Sequence, residues 1–185
     1  MEACRRDNVG LFNEVMDGMQ DQPADKTANF LNGITDVMGN SLLHICANYG
    51  SCIIHPLGNP LFLLLANKSL INNADDLMDQ LLSVEHLECD PLTPREKETP
   101  IHCAVRYAVE RNAELGTAMA KMLVEAGGDP RTRDRSGHTP AQICDPRLED
   151  LRAWLVGQEY ILREGLSEQA NQADENEDAT GSASD

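Results

Sequence analysis

The sequence predicts an all-α solenoid, in which helix-turn-helix units stack side by side, and three observations carry that expectation. A helix-start pattern recurs as Gly39-Asn40-Ser41-Leu42-Leu43-His44-Ile45-Cys46-Ala47, as Glu98-Thr99-Pro100-Ile101-His102-Cys103-Ala104-Val105 and as Ser136-Gly137-His138-Thr139-Pro140-Ala141-Gln142-Ile143-Cys144. The small and branched apolar residues behind each start give a narrow face that lets neighbouring helices approach closely. Turn residues such as Gly127-Gly128-Asp129-Pro130 then punctuate the copies, so a short hairpin finger should separate one unit from the next. With 185 residues, 41% of them hydrophobic, the chain can bury a core without disulfide or metal support.

Each element can be justified in order. Residues Ala3 to Met19 read as a shortened N-terminal capping unit, a helix pair with Val9, Leu11, Phe12, Val15, Met16 and Met19 on one apolar stripe. A second short helix is expected around Ala28 to Ile34. Thr99 and Thr139 sit at N-cap positions, and Pro100 and Pro140 at the first helical position, where a missing amide hydrogen costs nothing. The second helix of the first unit is placed at Ala74 to Val84. Between that helix and the first one lies Cys52 to Asn73, in which Pro56, Gly58 and Pro60 oppose a helix and Pro60 to Ala66 is a bare apolar run. This insert is either a binding loop or translated sequence from an unspliced intron. The second reading is favoured, because its hydrophobicity has no helical or strand period and the flanks rejoin naturally without it.

Further along, Ala118 to Val124 continues a helix that Gly127 can close in the left-handed conformation. Asp129-Pro130 then forces an extended turn leading to Gly137. Leu148, Leu151, Leu155 and Leu162 recur at helical spacing beside Trp154 and read as a C-terminal cap, needed because an interior unit leaves its stacking face bare. Residues 167–185 carry six acidic side chains, no basic one and almost no large apolar one. They are expected to form a disordered tail.

The stretch from Ala126 to Pro140 resembles the junction between two ankyrin repeats, and Thr99-Pro100-Ile101-His102 is similar to the ankyrin helix-start motif. The resemblance implies an ankyrin-repeat solenoid with β-hairpin fingers and capping helices. It implies that His44 and His102 tie neighbouring loops together by hydrogen bonds, and it assigns repeat-motif roles to Ser41, Thr99, Pro100, Gly127, Asp129, Gly137, Thr139 and Pro140. The pattern is irregular: Ser41-Leu42 lacks the proline, Thr139-Pro140-Ala141-Gln142 lacks the histidine, and both intervals exceed the usual period of about 33 residues. The likeness extends to a group of small fungal ankyrin-repeat proteins. It divides the chain into an N-terminal cap at 1–35 and repeats at about 36–91, 92–131 and 132–166, which make one domain over 1–166.

Charge narrows the function. The chain has 31 acidic against 15 basic residues, a net charge of -16, which argues against nucleic acid and would steer a basic protein toward its surface. No stretch is long and apolar enough to suggest a membrane span. The N-terminus lacks the apolar run of a secretory signal, and scattered cysteines without a CxxC pair read as reduced, which points to a cytoplasmic protein small enough to enter the nucleus. Neither His86-Leu87-Glu88-Cys89 nor His102-Cys103 is matched by a second pair at structural-zinc spacing, so no metal and no cofactor is expected. Cys46, Cys103 and Cys144 recur at equivalent places and read as small core residues. Gly127-Gly128 closes a helix and is no phosphate cradle. The expected function is therefore non-catalytic: an interaction module or adaptor, monomeric, with Arg106, Tyr107, Arg131, Arg133, Arg135 and His138 as candidate partner contacts. The alternative is an escort chaperone for a basic client such as a ribosomal protein or histone, working through the acidic tail.

Overall fold

A computed structural model describes residues 1–50 and 77–177. The helices are α1 (Glu2–Arg6), α2 (Val9–Asp17), α3 (Ala24–Asn32), α4 (Leu42–Tyr49), α5 (Leu77–Leu82), α6 (Pro100–Glu110), α7 (Ala113–Glu125), α8 (Pro140–Ile143) and α9 (Glu149–Glu177), with a 3-10 turn at Pro146–Leu148 before the last. The insert expected over 52–73 lies outside the described residues.

The helices stack in two rows. The row of repeat-starting helices runs α1, α4, α6, α8, each touching the next; α5 packs behind α4, α7 behind α6 and α9 behind α8. One continuous core runs through the stack, with Leu43, Ile45, Leu77, Met78, Leu81, Ile101, Val105, Met119, Leu123 and Leu155 all fully buried. Cys46, Cys103 and Cys144 are buried in it as well, and burial pushes the Cys103 thiol up to about 12, so that sulfur stays protonated at neutral pH. The tightest junction is α6 against α7, where buried Gly116 faces the backbone of Ala108. The short turn between them is closed by Asn112, whose side chain accepts from the Leu115 amide at 3.0 Å.

Several expectations change at the ends. In the N-terminal stripe only Phe12 is buried, while Leu11 and Val15 stay exposed, because a helical period marks a face without saying that a neighbour covers it. The next helix starts earlier than expected, at Ala24. The third repeat-starting helix, α8, is cut to four residues because Asp145 precedes Pro146 and must be extended, as Cys144 already is. Leu151 and Leu155 are buried as the cap requires, but Leu162 is past the edge of the stack. Finally, α9 continues to Glu177, into the segment read as a disordered tail. That reading rested on the absence of a core, whereas Leu166 to Glu177 holds no glycine or proline and is rich in Glu, Gln and Ala, which support a helix locally. The remaining tail residues, 178–185, lie outside the described residues.

Candidate protein-interaction surface

Each repeat start is preceded by a finger, and all of them close with the same backbone bond. Asp36 N donates to Asn40 O at 2.9 Å, Thr93 N to Glu98 O at 3.0 Å and Asp134 N to His138 O at 2.9 Å. The fingers are turns rather than strand pairs; among the described residues one isolated antiparallel bridge, Thr35 to Ser41, is formed. Two residues before each N-cap the backbone is left-handed, at Gly39 (φ 82), Lys97 (φ 52) and Gly137 (φ 83). Lysine pays a conformational penalty there that glycine does not. Lys97→Gly should therefore raise stability by about 0.5–1 kcal/mol, read as a higher urea midpoint at unchanged slope; an unchanged or lower midpoint would contradict this account of the turn.

The helix starts show why the repeat needs histidine. His44 Nδ1 accepts from the backbone N–H of Ser41 at 3.3 Å and lies 2.8 Å from the Ser41 hydroxyl. His102 Nδ1 does the same for Thr99, at 3.2 and 2.8 Å. A nitrogen that accepts from an amide carries no proton, so Nε2 carries it and donates to the next finger: from His44 to Glu98 O at 2.8 Å, and from His102 to His138 O at 3.1 Å. The rings are fully buried. Burial holds His44 down at about 4 and lowers His102 as well, although the His138 carbonyl pulls the latter the other way. In the third copy Gln142 Oε1 takes the amide of Thr139 at 3.0 Å. Among the described residues no further finger follows, so only the local half of the histidine's task remains.

A second ladder of bonds runs along the outer turns and was not anticipated from the sequence. Asn32 accepts from Glu88 N at 3.0 Å and donates to His86 O at 3.2 Å, and Asp90 Oδ2 accepts from Asp129 N at 2.7 Å. Asp129, at the equivalent place at the end of the next unit, closes on its own Arg131 instead. The signal was present as the repeated Asp90-Pro91 and Asp129-Pro130.

The candidate contact residues fall into two groups. Arg106 pairs with Glu98, tying α6 to the finger before it. Tyr107 packs its ring end against Gly50, whose added Cβ would lie 2.6 Å from Tyr107 Cζ, and Arg111 lies over the ring. Arg131 holds Asp129 and reaches Leu162 O at 3.3 Å, joining the third finger to α9. These are scaffold contacts. Arg133, Arg135 and His138 are exposed. Arg133 Nη1 donates to Gly137 O at 2.6 Å, and Arg135 Nη1 to Arg95 O at 3.2 Å, so each guanidinium is oriented but open to solvent. Arg131, Arg133 and Arg135 thus have different partners. Among the described residues no group of three or more His, Cys, Asp or Glu side chains could hold a metal, and no helix is long and apolar enough to cross a membrane.

No family model matches the chain. It is 29% identical over 164 residues to an ankyrin repeat-containing protein of Saccharomyces cerevisiae, a match that covers 88% of this chain and 77% of the yeast protein. That similarity joins the same reading reached from the repeated helix starts, the left-handed finger turns and the histidine links between repeats. The described residues fold as an all-α ankyrin-type solenoid similar to that yeast protein, a scaffold whose general use is protein interaction without catalysis.

Proposed function

We propose that the chain is a non-catalytic adaptor that binds a protein partner along its finger edge and the neighbouring ends of the repeat-starting helices. The observation that carries this reading is the fixing of successive exposed fingers to one another. His44 and His102 pin the second and third fingers at their bases, and Arg135 N donates to Glu96 O at 2.8 Å between their outer parts. An edge that is already ordered loses little freedom when a partner docks. Arg133, Arg135 and His138 are the contact residues in this reading, and Arg106, Tyr107 and Arg131 hold the scaffold behind them. The adaptor works as a monomer in the cytoplasm, with access to the nucleus.

A second reading, escort of a basic client, is supported by the six acidic and no basic residues of 167–185 and by the net charge of -16. Affinity purification from the native cell separates the two, using the full-length chain, an Arg133→Glu/Arg135→Glu variant and a full-length variant with the tail acids changed to their amides. The adaptor reading expects partners lost on charge reversal and kept on tail neutralisation. Highly basic partners lost only with the tail charge would replace it with the escort.

A further inference from the structure

The finger edge is chemically uneven. At the first finger Val37 is 99% exposed and Met38 57%, two apolar side chains open to solvent. At the second and third fingers two acids are paired with arginines, while Asp134 is held by a backbone amide and keeps its charge. Glu98 pairs with Arg106, Glu96 lies 3.5 Å from Arg95, and Asp134 Oδ1 accepts from His138 N at 2.9 Å. Lys97, Arg133 and Arg135 are exposed, and none has a carboxylate partner among the described residues. Three cations without an ion-pair partner thus stand along this edge, on a chain whose net charge is -16.

The edge is also continuous. The ring of Pro94 lies where a Cβ on Gly39 would sit, at 2.5 Å, so the first finger rests directly on the second. Arg135 bonds to both Arg95 O and Glu96 O, so the third rests on the second as well. Stacked helices are spaced about 8–10 Å apart, which makes the distance from first to third finger roughly 20 Å. An extended chain covers that in about six residues.

We propose that this edge takes an extended acidic peptide segment of a partner protein, with a large apolar residue against Val37 and Met38, a carboxylate about three residues away on Lys97 and others about six residues away on Arg133 and Arg135. The proposal rests on the adaptor reading and specifies its partner. Guanidinium groups held in place by Gly137 O and Arg95 O retain free N–H donors in the fork geometry that carboxylates accept.

Panning a random twelve-residue peptide display library on the full chain tests it, followed by fluorescence anisotropy on the enriched peptides. The expected winners carry Asp or Glu together with one large apolar residue five to seven positions away, roughly the finger spacing divided by the rise of an extended chain. Arg133→Glu/Arg135→Glu should weaken them at least about tenfold, Val37→Asp about threefold or more, and a rise in salt should weaken them further. All of these side chains are exposed, so circular dichroism should stay unchanged. Neutral or basic winners that are displaced by the finger substitutions would overturn the acidic partner and leave the adaptor reading standing. Acidic winners indifferent to charge reversal would overturn the proposal by placing their site elsewhere. An absence of any enrichment would overturn it too, with the native-cell purification judging the adaptor reading separately.

Discussion

Gly116→Ala should lower the stability of the folded chain by about 3 kcal/mol, the upper end of what one inserted methyl group costs in a packed core. Gly116 lies in the first turns of α7, where that helix crosses α6 at closest approach. A Cβ there would stand 2.5 Å from both Cα and Cβ of Ala108. Backbone cannot move aside as the end of a flexible side chain can, and both helices are fixed further along by buried Ile101, Val105, Met119 and Leu123. The clash must therefore be met by separating α6 from α7, which opens the core between them. Ordinary helix propensity acts the other way, since alanine in a helix is favoured over glycine by about 1 kcal/mol. Gly157→Ala isolates that opposing effect, because nothing lies within 4 Å of a Cβ at Gly157. Urea unfolding should show Gly157→Ala stabilised by about 1 kcal/mol and Gly116→Ala strongly destabilised, with Ala108→Gly restoring part of the loss. If the two glycines responded alike, close approach at Gly116 would not be what shapes this junction.

Gly116 also marks what the sequence withheld. A glycine inside a helical run reads as a propensity defect until the facing helix is known, and the facing helix is a tertiary fact. The repeat starts were legible for the opposite reason. Ser41 to His44, Thr99 to His102 and Thr139 to Gln142 each complete a cap from residues three apart, so the chemistry lies within one short window and its repetition confirms it. The N-terminal stripe failed because Leu11 and Val15 stay open to solvent while Phe12 beside them is buried. The candidate contacts divided in the same way. Alternation of Arg131, Arg133 and Arg135 was visible in the sequence, but it could not reveal that Arg131 is held by Asp129 and bonded to α9 while the other two face water. Lys97 escaped notice because it occupies a turn position that glycine marks in the other two fingers.

The buried histidines give the second large effect, a loss of stability in mild acid. In the folded chain Nδ1 of His44 accepts from the Ser41 amide, so a proton added there would face an N–H donor, and burial penalises the charged ring as well. The folded ring therefore refuses a proton down to about pH 4, whereas an unfolded chain takes one up near pH 6.5. Between those values the unfolded state binds more protons, so stability falls as pH falls; above pH 6.5 and below about 4 this group adds no slope. His44 alone makes the decline on the order of 3 kcal/mol, and His102, shifted in the same direction, adds to it. The lowered carboxyls act elsewhere on the scale. Asp145, which the Arg147 side chain holds at about 2, contributes stability that is lost only at lower pH. The protein itself contains the informative control, since Gln142 caps Thr139 without an ionisable ring. His44→Gln should keep the local cap, lose the bond to Glu98 O and cost about 1–2 kcal/mol at pH 7, yet show a much flatter decline toward pH 4. Its stability curve should meet that of the unsubstituted chain between about pH 5 and 6, because the unsubstituted chain loses about 1.4 kcal/mol per pH unit across the window. Urea titrations at pH 7, 6 and 5 decide the matter: a slope that survives intact when both His44 and His102 are glutamine would mean that the links between repeats are not what acid breaks.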